Sequence, residues 1–286
     1  MNEKRAEHEL TRPDRSNLRK GNSERSGPIF AQALLKELSI KHGNVHDVAA
    51  PLGLKVYEVE AEGFDGALIR ARNVPLGAIA VRASIREASR KNFTIAHEIG
   101  HFVLPGHENL SIACTATEVG DWAEGLAGKA LEREANEFAA ELLMPAKLVR
   151  AIVSRTKPSL AVIEKIAGEF SVSLSAAAWQ YCEVASEACA VVWSADGAIQ
   201  WVKRSSGFPF FLAINRPVQE GTFAAACFAG KKVPGRPRTV PTSSWSDAAN
   251  LDSTVRLLEQ SKALPTYRSV ISMLWIESDK VELSGQ

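Results

Sequence analysis

The segment His97-Glu98-Ile99-Gly100-His101 constrains this chain more than any other feature of it. Histidines four apart stand on one face of a helix. One nitrogen of each can then meet a single divalent ion at roughly 2.0–2.1 Å. The pattern needs a helix, and the neighbouring residues supply one. Phe93, Ala96, Ile99, Gly100 and Val103 form an apolar face beside the two rings. Glu98 is rotated about 100° around the axis from His97. It is badly placed to ligate the same ion. It is well placed to take a proton from a water in an open coordination position and to return it to a leaving amine. The helix is predicted to begin between Ile85 and Ser89 and to stop at Leu104-Pro105-Gly106. Pro105 cannot donate to a helix, and Gly106 permits a reversal.

Two histidines leave a metal site one protein ligand short, and two candidates compete. His107 lies six residues after His101, the spacing of HExxHxxGxxH. The glycine of that pattern falls here on Leu104, which resists a positive φ. The other candidate is a carboxylate on the helix predicted from Lys129 to Met144, whose apolar stripe is Leu131, Ala135, Phe138, Ala139 and Leu142. Glu132 and Asn136 share one edge of that stripe. They could offer a carboxylate to the ion and an amide oxygen to the second nitrogen of a ligand histidine. This arrangement needs no strained turn and is favoured. Glu134 and Glu137 point more to the other side and read as solvated charge.

The rest of the chain predicts an α+β protein. It has a small sheet with zincin-type active-site helices, a mostly helical middle region, and a second β-rich α+β domain at the C-terminus. Residues 1–27 are dense in charge and poor in bulky apolar groups, so a flexible tail is expected. A helix is expected from Ile29 to Lys41, and a short one after Asn44. Strands are expected at 54–59, 67–72 and 78–82, the last two joined by a turn at 73–77. Residues 107–127 read as a loop. Amphipathic helices are expected at 159–170 and 174–183. The texture changes near Ala188. Strands are then expected at 189–194, 198–203, 208–214, 222–228 and 270–276, with Asp196-Gly197 as a hairpin turn. The predicted domains are 28–187, with a helical extension from about 146, and 188–286.

Taken together, Phe93 to His101 and the run Glu132-Arg133-Glu134-Ala135-Asn136-Glu137-Phe138-Ala139-Ala140-Glu141-Leu142-Leu143-Met144-Pro145 resemble the ImmA/IrrE metallopeptidase family. The first segment is shared by zinc peptidases in general, and the second is more specific. The match covers about residues 30–185. The resemblance implies a gluzincin-like Zn²⁺ peptidase that cleaves helix-turn-helix repressors in a stress-response, mobile-element or toxin-antitoxin context. It implies His97, His101 and Glu132 as ligands, Glu98 as general base, and Asn136 as the partner of a ligand histidine. Asn136 stands where the gluzincin pattern has Asp. Its amide oxygen can accept a hydrogen bond but adds no charge, so the histidine is less strongly polarised. The radiation-response branch of the family carries a helix-turn-helix-like segment and a GAF-like C-terminal domain. Residues 159–182 and 188–286 have matching size and element content, which makes a sensor role for the C-terminal domain an expectation.

Composition narrows the remaining choices. A formal net charge of +1 supplies no field for nucleic acid or an anionic membrane. The alternative reading is a non-catalytic or ligand-sensing transcriptional regulator. Its recognition helix, Leu174 to Tyr181, holds no Lys or Arg for phosphate contact. No apolar run is long enough to span a bilayer, and the charged N-terminus lacks a secretory apolar core. Cys114, Cys182, Cys189 and Cys227 form no CxxC pair and read as free thiols, although Cys114 follows the histidines closely enough to approach their metal. A cytoplasmic protein is expected.

Overall fold

The structure, a computed structural model, describes residues 26–42, 44–70, 76–107, 113–114, 129–246 and 256–277. The predicted tail lies outside these residues except for its last two, and so does most of the predicted 107–127 loop. The chain divides into two compact units, Met1–Pro145 with Phe170–Ser173, and Ala146–Glu169 with Leu174–Gln286.

The first unit is built on helix α3, Ala88–Val103. Every residue from Thr94 to Phe102 is buried, so the helix is enclosed on more than one side. One side meets a small sheet of β1 (Leu54–Val59), β2 (Gly66–Arg70), β3 (Gly77–Arg82) and β4 (Ala113–Cys114). The order is β1-β3-β2-β4. β3 lies parallel to β1 and antiparallel to β2. Another side meets α4, Lys129–Leu143, which also packs on α1, Ser26–Glu37. α2, Val45–Ala49, is capped by Asn44, whose side chain accepts from the His46 amide. α1 buries Phe30, Ala31, Leu34 and Leu35, whereas Ile29 of the expected stripe faces solvent. Asp65 anchors the start of β2. It is buried and pairs with Arg82 of β3 and Arg90 of α3, which offsets the cost of enclosing a charge.

The second unit holds α5 (Ala146–Val153), α6 (Leu160–Glu169) and α7 (Leu174–Val184). Its sheet has the order β6-β5-β9-β8-β7, from β5 (Cys189–Ala195), β6 (Ala198–Arg204), β7 (Arg238–Val240), β8 (Leu257–Leu264) and β9 (Ser269–Ile276). Asp196 and Gly197 both take positive φ and close the expected β5–β6 hairpin. One face of the sheet is covered by Phe208, Phe210, Leu212, Trp245 and α8 (Phe223–Phe228). α7 packs on β5 and β6.

Two expected strands differ. In place of the strand expected at 222–228, residues 223–228 form α8, because Thr222 caps a run rich in alanine and accepts from the Ala225 amide at 3.0 Å. Residues 208–214 form no ladder; they run over the core, with the Phe210 carbonyl accepting from Arg204 at 3.0 Å. The texture change at Ala188 and the contact division after Pro145 do not coincide, since α5, α6 and α7 group with the C-terminal sheet.

Candidate metal centre

α3 carries His97, Glu98 and His101 fully buried. α4 brings Glu132 and Asn136 to the same place because the two helices approach closely at Gly100. A Cβ there would stand 3.0 Å from Phe138 Cδ1 and 3.4 Å from Ala135 Cα. The three donor groups converge. His97 Nε2 is 2.9 Å from His101 Nε2 and 3.1 Å from Glu132 Oε2, and His101 Nε2 is 3.3 Å from Glu132 Oε1. Two donors on one tetrahedral ion bound at 2.0–2.1 Å stand roughly 3.3 Å apart, so the spacing and the N,N,O chemistry fit zinc. Among the described residues this is the one cluster of three His, Cys, Asp or Glu groups with metal-binding spacing.

The protonation states suit ligation. Burial holds the His101 imidazole down at about 4, against the opposing pull of Glu132, so its ring is neutral at neutral pH. Burial alone would raise the Glu132 carboxyl. The His101 and His97 rings beside it outweigh that cost and keep the group well below the usual carboxylate range. The far nitrogens of the two histidines have different partners. His97 Nδ1 donates to Asn136 Oδ1 at 2.9 Å. His101 Nδ1 lies 2.8 Å from Nδ1 of His107, which is also buried.

His107 therefore returns to the site, but to the outer edge of His101 rather than to the convergent nitrogens. The turn that brings it back is not strained at Leu104, which is extended with φ −70°; Gly106 takes the positive φ of 87°. Glu134 is not simply solvated, since its Oε2 lies 3.4 Å from His107 Nε2 and its side chain is 22% exposed. Glu137 pairs weakly with Arg133 at 3.9 Å. Cys114 pairs its backbone with Gly66 on β2.

Two contributors were not singled out in the sequence. Gly66 opens β2, and a Cβ on it would come within 2.4 Å of Thr94 Cγ2 and 2.9 Å of Glu98 Oε1. The absent side chain lets the strand lie against the Glu98 carboxylate. A glycine at the first residue of a strand was the available signal. Arg70, from the other end of β2, donates to the carbonyls of His101, Phe102 and His107, the last two at 3.3 Å, and its guanidinium sits over the Phe102 ring.

Residues 49–179 match the family described as Peptidase_M78, the IrrE N-terminal-like domain. Over that stretch, which is less than half of the chain, it is similar to the ImmA/IrrE family. The family stretch contains the three converging donors together with Glu98, Asn136 and His107. A curated relative is the radiation response metalloprotease IrrE of Deinococcus deserti, 28% identical over 160 residues. That alignment covers 54% of each protein, so the chain spans about half the length of the relative it matches. A solved structure titled Mycobacterium tuberculosis transcriptional regulator superposes with a TM-score of 0.52, covering 91% of this chain and 92% of that one. At 14% identity that likeness concerns the fold alone. The matched family is a metallopeptidase family. Among the described residues no helix is long and apolar enough to cross a membrane.

Proposed function

We propose that this protein is a zinc-dependent endopeptidase acting in the cytoplasm on a helix-turn-helix transcriptional repressor. The observation that carries the reading is the convergence of His97 Nε2, His101 Nε2 and a Glu132 oxygen beside the buried Glu98. His97, His101 and Glu132 would hold the ion, and Asn136 would fix the His97 ring by accepting its Nδ1 proton. A zinc ion held there supplies Lewis acidity toward a water and a peptide carbonyl. Glu98 accepts the proton of the attacking water and delivers it to the leaving amine nitrogen. The backbone of β2 at Gly66 closes one side of the Glu98 carboxylate and limits the water around it. The peptidase part lies within residues 28–187, with the helical extension from 146, and residues 188–286 serve as a sensor domain. The second unit carries an open cleft, lined by Leu160, Glu164, Cys227, Lys231, Gln260 and Lys262, where a small ligand would be sought. Strong nucleic-acid binding is not proposed, because α7 carries no Lys or Arg.

The test is incubation of the zinc-loaded protein with a helix-turn-helix repressor encoded beside it, with cleavage read by mass spectrometry and bound zinc by elemental analysis. Wild type should cut the repressor at a discrete bond. Glu98→Gln should retain one zinc and lose hydrolysis by at least about 100-fold, since the amide cannot take the proton. A Glu98→Gln protein that cuts at the wild-type rate removes Glu98 from the chemistry. A repressor bound intact by wild type would instead support a non-catalytic regulator.

A further inference from the structure

The two converging histidines are held from behind in different ways. His97 Nδ1 meets a neutral amide oxygen, that of Asn136. His101 Nδ1 meets another imidazole, His107 Nδ1, at 2.8 Å. On its far side His107 Nε2 lies 3.4 Å from a Glu134 carboxylate oxygen. The direction of this chain follows from the convergent nitrogens. If His101 Nε2 offers its lone pair to an ion, its ring proton sits on Nδ1 and must be donated outward. His107 can accept it only through an unprotonated Nδ1, which places the His107 proton on Nε2, facing Glu134.

We propose that His107 and Glu134 form a positioning relay for His101, His107 fixing the tautomer and ring angle of that ligand and Glu134 supplying the negative charge that Asn136 does not give to His97. The inference rests on the zinc reading above. Several observations meet in it. His107 is fully buried although it follows a loop turn, and a buried imidazole needs partners for both nitrogens. Its backbone is fixed independently of its ring, because Arg70 of β2 ties the carbonyls of His101, Phe102 and His107 together. Gly106, at φ 87°, makes the reversal without strain. Glu134 stands two residues from Glu132 on α4, so one helix delivers both the converging carboxylate and the charge at the end of the relay. A carboxylate acting through an imidazole makes the ligand nitrogen more basic, as carboxylate–histidine–metal triads do.

The experiment measures zinc affinity of the full chain by competition with a fluorescent chelator, together with the visible spectrum of the cobalt(II)-substituted protein. His107→Phe keeps the ring volume and removes both nitrogens. It should weaken zinc about 10- to 100-fold, the usual loss for a group bonded to a ligand histidine, and should shift the cobalt bands. His107→Asn keeps an acceptor near the position of Nδ1 and should recover most of the affinity. Glu134→Gln, on a partly exposed side chain where folding is not at stake, should lose a few-fold. Added to His107→Phe it should cost nothing further, since the relay is already cut. Wild-type zinc affinity and an unchanged cobalt spectrum in His107→Phe would overturn the relay. So would additive losses in the double variant, or an Asn no better than Phe. A wild-type chain that takes up no zinc overturns the metal site itself, a separate failure from tight wild-type binding that is indifferent to residue 107.

Discussion

Glu132 is the donor whose removal separates the possible metal geometries most cleanly. His97 and His101 share one helix, and their Nε2 atoms would stay near each other without help. Only Glu132 arrives from a second helix. Its ionised state is favoured by the two rings beside it against the cost of burial. Glu132→Ala leaves two neutral nitrogens and no compensating negative charge for a dication. Zinc binding should weaken by at least about 100-fold at neutral pH, beyond the 10- to 100-fold usual for a partner of a ligand. Elemental analysis after dialysis against a weak chelator reads the loss. Glu132→Ala protein that keeps one tightly bound zinc would show that another group completes the site.

At the scale of elements, some of this arrangement could be read from the residues and some could not. The i,i+4 spacings of His97 with His101 and of Glu132 with Asn136 needed only the helix period. β1 was legible from its alternation. β8 was not, because its inward face carries Glu259 and Ser261, which invert the usual pattern. Glu259 is buried there because partners surround it: it accepts from the Ala224 amide, the Trp245 indole and the Ser261 hydroxyl. A helical extension from about 146 was expected, but α5 could not be delimited, because an eight-residue helix directly after Pro145 offers barely two turns of periodicity. In the site, the role of His107 turned on which nitrogen of His101 a loop turn would meet, a tertiary outcome that sequence spacing does not encode. The close approach of α3 and α4 yields its own prediction. Gly100→Ala needs only a small shift of the Phe138 ring, and zinc affinity should fall no more than a few-fold. Gly100→Val must move the α4 backbone at Ala135, and Glu132 and Asn136 ride on that helix. It should destabilise the protein by about 1–3 kcal/mol and loosen zinc although no donor has changed. Zinc titration with a thermal melt checks both effects. Wild-type affinity in Gly100→Val would mean that the helix spacing does not set the site.

At the scale of the whole molecule, the question is where the chain can be cut. The texture of the sequence places a boundary at 187/188, while the contacts place α5, α6 and α7 with the C-terminal sheet. Specific bonds lie behind that grouping. The Leu160 amide at the start of α6 donates to Gln260 of β8 at 2.9 Å, and Lys262 of β8 pairs with Glu164 of α6. Trp179 of α7 lies against Trp201 of β6, with the Lys203 ammonium over its ring, and Lys203 bonds Glu183 at 2.8 Å. A protein truncated after Glu187 retains every converging donor of the metal centre but strips α6 and α7 of these partners. Tyr181 and Cys182, buried in the intact unit, would be left without the sheet beside them. The truncated protein should therefore still bind one zinc per chain, because the donors belong to the first unit. It should also expose apolar surface, bind a hydrophobic dye and self-associate where the full chain does not. Dye fluorescence, light scattering and zinc content measured on the same samples test the three parts together. A soluble, dye-silent, zinc-loaded fragment would mean that the helices from 146 to 184 are stabilised without the C-terminal sheet, and that the texture boundary at 187/188 is also the boundary of independent folding.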